Sequence, residues 1–285
     1  MTLPAYFLEL NPALVLGLGL SLLVAVLAYW RGSLTPSGAL GAILIGTLVF
    51  AMGGLSWGVL LVAFFVSSSA LSHYQARAKE PLAEKFQKGH RRDLGQVLAN
   101  GGWGALTALA FGFYPHLVCF AAFAGAMATV NADTWATELG VLSKIAPRLI
   151  TNGRVVAVGT SGGVTAFGTF IASLGALVIG ALAFLFLLVA PDPLSSMARS
   201  GSVLLFPLII TAAGLVGSLF DSLLGATVQA IYYCDFDQKE TESARHRCGR
   251  VTRLVRGWRW LDNDGVNLLA SVLGSLVAAA LFQVL

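Results

Sequence analysis

The sequence predicts an all-α, polytopic integral membrane protein with about eight transmembrane helices and both termini on the extracytoplasmic side. Three observations carry that prediction. Only 11% of the 285 residues are charged while 56% are hydrophobic, far from the charged content of about 25% found in soluble domains. Apolar stretches long enough to cross a bilayer recur from one end of the chain to the other. The basic residues fall in alternate connections between those stretches, the pattern that the positive-inside rule produces.

Requiring about 17 to 25 predominantly apolar residues per span gives helices near 12–30, 36–52, 55–71, 96–114, 117–138, 164–189, 203–233 and 264–285. The first run has no basic n-region before it and no small-residue cleavage site after it, so a retained helix is expected rather than a signal peptide. No Arg/Ser-rich transit peptide precedes it. A bacterial or cyanobacterial inner or thylakoid membrane, or a chloroplast membrane, is the expected location. Only Gly53 and Gly54 separate the second and third runs, which predicts a tight helical hairpin, and Pro115-His116 predicts a similar short turn. The runs at 164–189 and 203–233 are long enough to tilt or to extend beyond the bilayer. The 32 glycines fit closely approaching transmembrane helices. With no internal repeat and no low-complexity tract, residues 1–285 read as a single transmembrane domain.

With eight spans, the connections after the first, third, fifth and seventh share one side and hold 17 of the 18 Lys and Arg residues. That side is expected to be cytoplasmic, which makes 72–95, 139–163 and 234–262 cytoplasmic loops. The net charge of +4 thus serves topology, so membrane lipids are the expected partners and nucleic acid is not indicated. Cys119, Cys234 and Cys248 are too few for a disulfide framework. No pattern in the chain sets an oligomeric state.

Of 14 acidic residues, Asp133, Glu138 and Asp221 fall within spans and Asp264 opens the last one. An ionised carboxylate at that depth costs about 2.5 kcal/mol or more, so such groups normally face a polar cavity, a metal or a partner. Glu138 and Asp264 could instead reach headgroups from a helix end. Asn131, Thr134 and Glu138 share one helix face and Asp133 with Thr137 lies beside it. This oxygen-rich surface suits Mg²⁺, a hard cation that takes a few carboxylates together with phosphates, although a hydrogen-bonded helix contact would use one or two of the same groups. Asp221 and Ser222 lie among small residues spaced three and four apart in the seventh span, which points Asp221 into the bundle. Asn263, Asp264 and Asn267 form a second oxygen cluster at the start of the last span, where Asp262 or Asn263 could equally be an N-cap.

Gly159-Thr160-Ser161-Gly162-Gly163 precedes the sixth span and offers backbone N–H groups and hydroxyls to a phosphate, or simply caps a helix. Lys144, Arg148 and Arg154 in the same connection could clamp phosphate oxygens or serve topology alone. Arg91-Arg92-Asp93, Gln96 and Asn100 carry polar groups into the fourth span. Cys234-x2-Asp237 and His246-x-Cys248 make a four-ligand set of a kind that binds Zn²⁺, short of a clear zinc ribbon.

These motifs, taken together with Pro147-Arg148-Leu149-Ile150-Thr151 and Leu261-Asp262-Asn263-Asp264…Asn267, resemble the integral membrane family labelled domain of unknown function ninety-two, over about residues 12–285. That family includes phytyl-phosphate kinases of plants and cyanobacteria and is similar to CTP-dependent phytol and dolichol kinases. The resemblance implies a nucleotide-dependent prenyl-phosphate kinase, with CTP or another nucleoside triphosphate as donor, a prenyl phosphate lipid as acceptor and a place in tocopherol or prenyl-lipid synthesis. Asp133, Glu138, Asp221 and Asp264 are then the expected catalytic, Mg²⁺-binding carboxylates. Arg91, Arg92, Lys144 and Arg148 would hold phosphates and Gly159, Thr160, Ser161, Gly162 and Gly163 the nucleotide. Asn100, Asn131, Thr134, Ser222, Asn263 and Asn267 would complete the binding surface. Asp237 stands where the family's loop is expected to have a second cysteine, which weakens the zinc reading. Two other classes fit the same residues: an ion- or proton-coupled transporter, and a cytidylyltransferase acting on a lipid phosphate.

Overall fold

The computed structural model describes residues 10–74, 91–189 and 201–284, so most of the expected 72–95 loop lies outside the described residues. Among the described residues eight long helices run in chain order: α1 Leu10–Trp30, α2 Pro36–Gly53, α3 Leu55–His73, α4 Leu94–Phe113, α5 Leu117–Gly140, α6 Ala166–Val189, α7 Phe206–Thr227 and α8 Asn263–Val284. Seven of them are long and apolar enough to cross a membrane. The exception is α4, where Gln96, Asn100 and five glycines dilute the apolar character of a 20-residue helix. The protein is a polytopic, helical membrane protein, and Val15, Leu16, Leu23, Leu40, Leu44 and Leu188 are exposed on its outer helices, as lipid-facing side chains should be.

Local chemistry sets the helix ends. Thr35 caps α2 by accepting a hydrogen bond from the Gly38 N–H, and Pro36 follows at a position where no N–H is needed. The Gly53-Gly54 hairpin forms as expected: Gly54, at φ 82°, ends α2 and opens α3 in one residue. Asp93 and Gln96 form a reciprocal capping box at the start of α4, so both are accounted for by the helix terminus.

Two expected spans are shorter than the apolar pattern suggested. The 203–233 run begins in a 3-10 turn at Gly201–Leu205, and its helix stops at Thr227. Ile231–Cys234 is a strand, β3, flanked by β4 Lys239–Thr241 and β5 Arg253–Arg256 in an antiparallel sheet of order β4-β3-β5. Ile231, Tyr232 and Tyr233 are β-branched and aromatic, and they pair with neighbours instead of extending α7. The 164–189 run likewise starts late, because Gly163–Val164 pairs as strand β2 with β1, Arg148–Leu149. The 139–163 and 234–262 connections therefore carry small sheets.

The central element is α5, which packs against α3, α4, α6, α7 and α8. On its lower half, Phe120 and Phe123 close around the buried Trp57 of α3, with ring centroids 5.4 and 4.6 Å away. Higher up, small residues replace aromatics. Gly214 and Gly217 of α7 abut Ala128 and Thr129, and Gly274 of α8 abuts Thr129 from the other side. A Cβ at Gly214 would lie 2.8 Å from the Ala128 Cβ, so the helices meet at a spacing only glycine permits.

Candidate active site

The packing that brings α5 and α7 together at Thr129 and Gly217 has a consequence one turn further along each helix. Asp133 and Asp221 each lie four residues beyond that contact, about 6 Å up their axes, and both line a cavity of about 670 Å³. Thr134 and Glu138 of α5 and Ser222 of α7 join them. The far wall is the start of α8, where Asn263, Asp264 and Asn267 face the cavity. Asp262 is the residue spent on capping, since its Oδ1 accepts from the Gly265 N–H at 3.1 Å. Asn100 and Gln96 of α4, with Arg92 just before it, complete the rim.

Electrostatics concentrate on the carboxylates. Oδ2 of Asp221 is buried with no hydrogen-bond partner among the described residues. Asp133 and Glu242 lie close enough for their charges to act on it. Such an orphaned, like-charge arrangement costs free energy unless a cation compensates it. The oxygen-only donor set fits Mg²⁺. Glu138 accepts a 2.6 Å hydrogen bond from Ser72 of α3. Arg92 is stacked over Phe64 and Phe65 at 5.6 and 5.4 Å. Burial lowers its pKa to about 10, while the Glu138 charge works in the opposite direction, so the guanidinium stays cationic at neutral pH.

Gly159, Thr160, Ser161, Gly162 and Gly163 all line the cavity, but as a folded turn and not as an open nest at a helix terminus. The Thr160 N–H bonds to the Ala157 carbonyl and the Gly163 N–H to that of Thr160. Helix α6 is capped separately by Thr165, which accepts from Gly168 N–H at 2.9 Å. Gly162 has φ +82° and presses against Ala226 of α7, leaving no space for a Cβ.

Four residues expected at the site lie away from the cavity. Arg91 donates to the Leu34 carbonyl at 3.0 Å and stacks on Tyr29, fastening the α1–α2 connection to the start of α4. Asn131 is fully buried between helices, accepting from Ser67 at 2.9 Å and donating to the Gly175 carbonyl at 2.8 Å. It is the helix-contact alternative made real. Lys144 is exposed and absent from the lining. Arg148 is also exposed and bonds back to the Gly153 carbonyl at 2.9 Å, because the β1–β2 pairing turns it outward.

The sequence reading missed Glu242 and Arg247, both cavity-lining. Glu242 Oε1 accepts from Ser161 and from Gln229, each at 2.9 Å. Both residues sit in a connection of mixed charge without periodicity, and only the β3–β4 pairing, Tyr233 opposite Glu240, brings that segment back over the cavity. Cys234, Asp237, His246 and Cys248 converge as a group beside the sheet; none of the four lines the cavity.

Fold and cavity together define a polytopic membrane protein with its polar chemistry gathered where alternate connections meet the helix ends. The chain belongs to the family described as integral membrane protein DUF92, whose signature matches residues 19–275. It is 33% identical to Protein PGR of Arabidopsis thaliana, covering 94% of this chain and 97% of that protein. It is 30% identical to an uncharacterised membrane protein of Methanocaldococcus jannaschii, over 87% of this chain and 86% of the relative. Protein VTE6, chloroplastic, also of Arabidopsis thaliana, is 24% identical over 96% of this chain and 70% of its own length. No solved structure matches the chain.

Proposed function

We propose that this protein is a prenyl-phosphate kinase that transfers the γ-phosphoryl group of a nucleoside triphosphate, CTP in the first instance, to a prenyl monophosphate such as phytyl phosphate. The observation that carries this reading is a junction of two chemistries. Arg92, Gln96 and Asn100 line the carboxylate cavity and also an apolar chamber of about 70 Å³, room for the first carbons of a tail, whose other walls include Val24, Leu34, Ile45, Phe50 and Leu61. A molecule with an anionic head and a hydrocarbon tail is the ligand such a junction suits. Membership of a family that, by the motif resemblance, contains phytyl-phosphate kinases supports the same reading.

In this proposal Arg92 holds the acceptor phosphate at the mouth of the apolar chamber. An acceptor phosphate oxygen forms the new bond to the γ-phosphorus as the bond from that phosphorus to the β-bridging oxygen breaks, giving a prenyl diphosphate and a nucleoside diphosphate. Mg²⁺ bound by Asp133, Asp221 and Asp264 would neutralise charge on the transferring group. Glu138, held by Ser72, keeps Arg92 oriented, and Arg247 supplies a second cation. No general base is needed, since a phosphomonoester is already an oxyanion near neutral pH. The concentration of basic residues on the connections around the cavity supports an opening to the cytoplasm.

The test is incubation of purified protein with Mg²⁺, γ-labelled CTP and a panel of prenyl alcohols and monophosphates, with both products identified. The expected result is label in a prenyl diphosphate together with CDP. Release of diphosphate would indicate cytidylyl transfer. Absence of any prenyl diphosphate from phytyl, geranylgeranyl or farnesyl phosphate would sink the proposal and leave ion or proton transport through the orphaned Asp221 as the reading to pursue.

A further inference from the structure

Beside the cavity, and sharing no side chain with it, the sheet formed by β3, β4 and β5 gathers four groups with no role in the phosphoryl-transfer proposal. Cys234 ends β3, Asp237 lies in the β3–β4 turn, and His246 and Cys248 lie in the β4–β5 connection. One ligand atom from each falls within 4.8 Å of all the others. Cys234 is fully buried and His246 is 5% exposed, so two of the four are held inside the protein. We propose that these residues form a tetrahedral Zn²⁺ site that pins the β4–β5 connection to β3.

The distances carry the argument. The Cys234 and Cys248 sulfurs are 3.7 Å apart. Zinc bound to two thiolates at about 2.3 Å in tetrahedral geometry separates them by about 3.8 Å, whereas a disulfide would bring them to about 2.05 Å. Asp237 Oδ2 lies 3.8 Å from the Cys234 sulfur and 2.7 Å from Nδ1 of His246; the second is a hydrogen-bond distance, which has to open to about 3.3 Å for the oxygen and nitrogen donors to take the other two corners. Two sulfurs, one nitrogen and one oxygen around a compact point are a donor set selective for zinc over the harder cations suited to the cavity. The connection is shaped to deliver them. The His246 N–H bonds to the Arg250 carbonyl and the Gly249 N–H to that of His246, a tight turn that presents His246 and Cys248 to the same point.

The site has a structural purpose for the rest of the molecule. Arg247, between two of the ligands, lines the cavity, and so does Glu242 at the end of β4. Zinc would hold both in place without touching the reacting groups.

The test uses the full-length, tag-free protein purified in detergent without added metal and measures zinc by elemental mass spectrometry. About one zinc per chain is expected in the parent and in Cys119→Ser, and less than a tenth of that in Cys234→Ser and His246→Ala. Exchange with Co²⁺ should give thiolate-to-metal charge transfer and the intense visible bands of a tetrahedral centre, reading the ligand set directly whether or not a variant is stable. Asp237→Cys should retain zinc at chelator concentrations that strip the parent. A parent without stoichiometric zinc, or an intact mass two hydrogens short that reveals a Cys234–Cys248 disulfide, would overturn the proposal. So would a cobalt spectrum without sulfur ligation.

Discussion

Ser161 and Glu242, 81 residues apart in sequence, are joined by a 2.9 Å hydrogen bond from the serine hydroxyl to Oε1 of the glutamate. The same oxygen takes a second bond of 2.9 Å from Gln229, so one carboxylate fastens the glycine-rich turn to the end of α7 while adding negative charge to the cavity. The two roles are separable. Glu242→Gln keeps an acceptor but removes the charge, and it should lower kcat for phosphoryl transfer about tenfold or more with little change in thermal stability. Glu242→Ala should also destabilise by about 1–3 kcal/mol, because Ser161 and Gln229 lose their shared partner. Detergent melting curves alongside turnover measurements separate the two.

Asp133→Asn and Asp221→Asn should each reduce turnover by about 100-fold, the upper end of what groups supporting a metal ligand cost when mutated. Mg²⁺ should raise the melting temperature of the parent protein, since binding to the folded state alone stabilises it, and both variants should abolish that rise. An unchanged Mg²⁺ response in either variant removes that residue from the metal site.

Arg92→Ala should raise KM for the prenyl phosphate by about tenfold or more, because the loss exposes Glu138 to the cavity without its cation and removes the guanidinium at the apolar mouth. Lys144→Ala and Arg148→Ala, both exposed and outside the cavity, should stay within about twofold of the parent, as surface changes do. A strong KM effect from Lys144→Ala would mean that the connection closes over bound nucleotide.

Asn131→Ala should destabilise by about 1–3 kcal/mol, leaving the Ser67 hydroxyl and Gly175 carbonyl without their buried partner. Its kcat, measured below the new melting temperature, should remain within about threefold of the parent. Gly162→Ala should do the reverse of a surface change. Its positive φ costs about 1–3 kcal/mol and the new methyl group meets Ala226, so both melting temperature and turnover should fall.

Much of this arrangement was legible in the chain because membrane helices follow simple arithmetic. Length and apolarity revealed the helices, and intramembrane carboxylates announced the cavity through their cost. Asp133, Asp221 and Asp264 were found that way. Asn131 and Arg91 misled for one shared reason: a buried polar group must have a partner, but the sequence does not say whether that partner is a ligand or the neighbouring backbone. Arg148 and Lys144 misled because charge in a connection marks a side of the membrane without marking a direction. Glu242 and Arg247 stayed hidden because their placement depends on β3 turning back beneath α7. The aromatic and β-branched residues of that strand were absorbed into an apolar run long enough to read as helix.

Thr129, wedged between Gly217 on one side and Gly274 on the other, acts as a fulcrum. The carboxylates sit a single turn beyond it on α5 and α7, so the gap between Asp133 and Asp221 is set by how closely the backbones meet below, not by the side chains around the acids. Added bulk at Gly217 would spread the two helices like the handles of a clamp, and the separation would grow toward the cavity. The spacing of the carboxylates is therefore tunable from a position outside the cavity, which makes Gly217, on the proposed metal-binding reading, a place to adjust cation preference without altering either carboxylate.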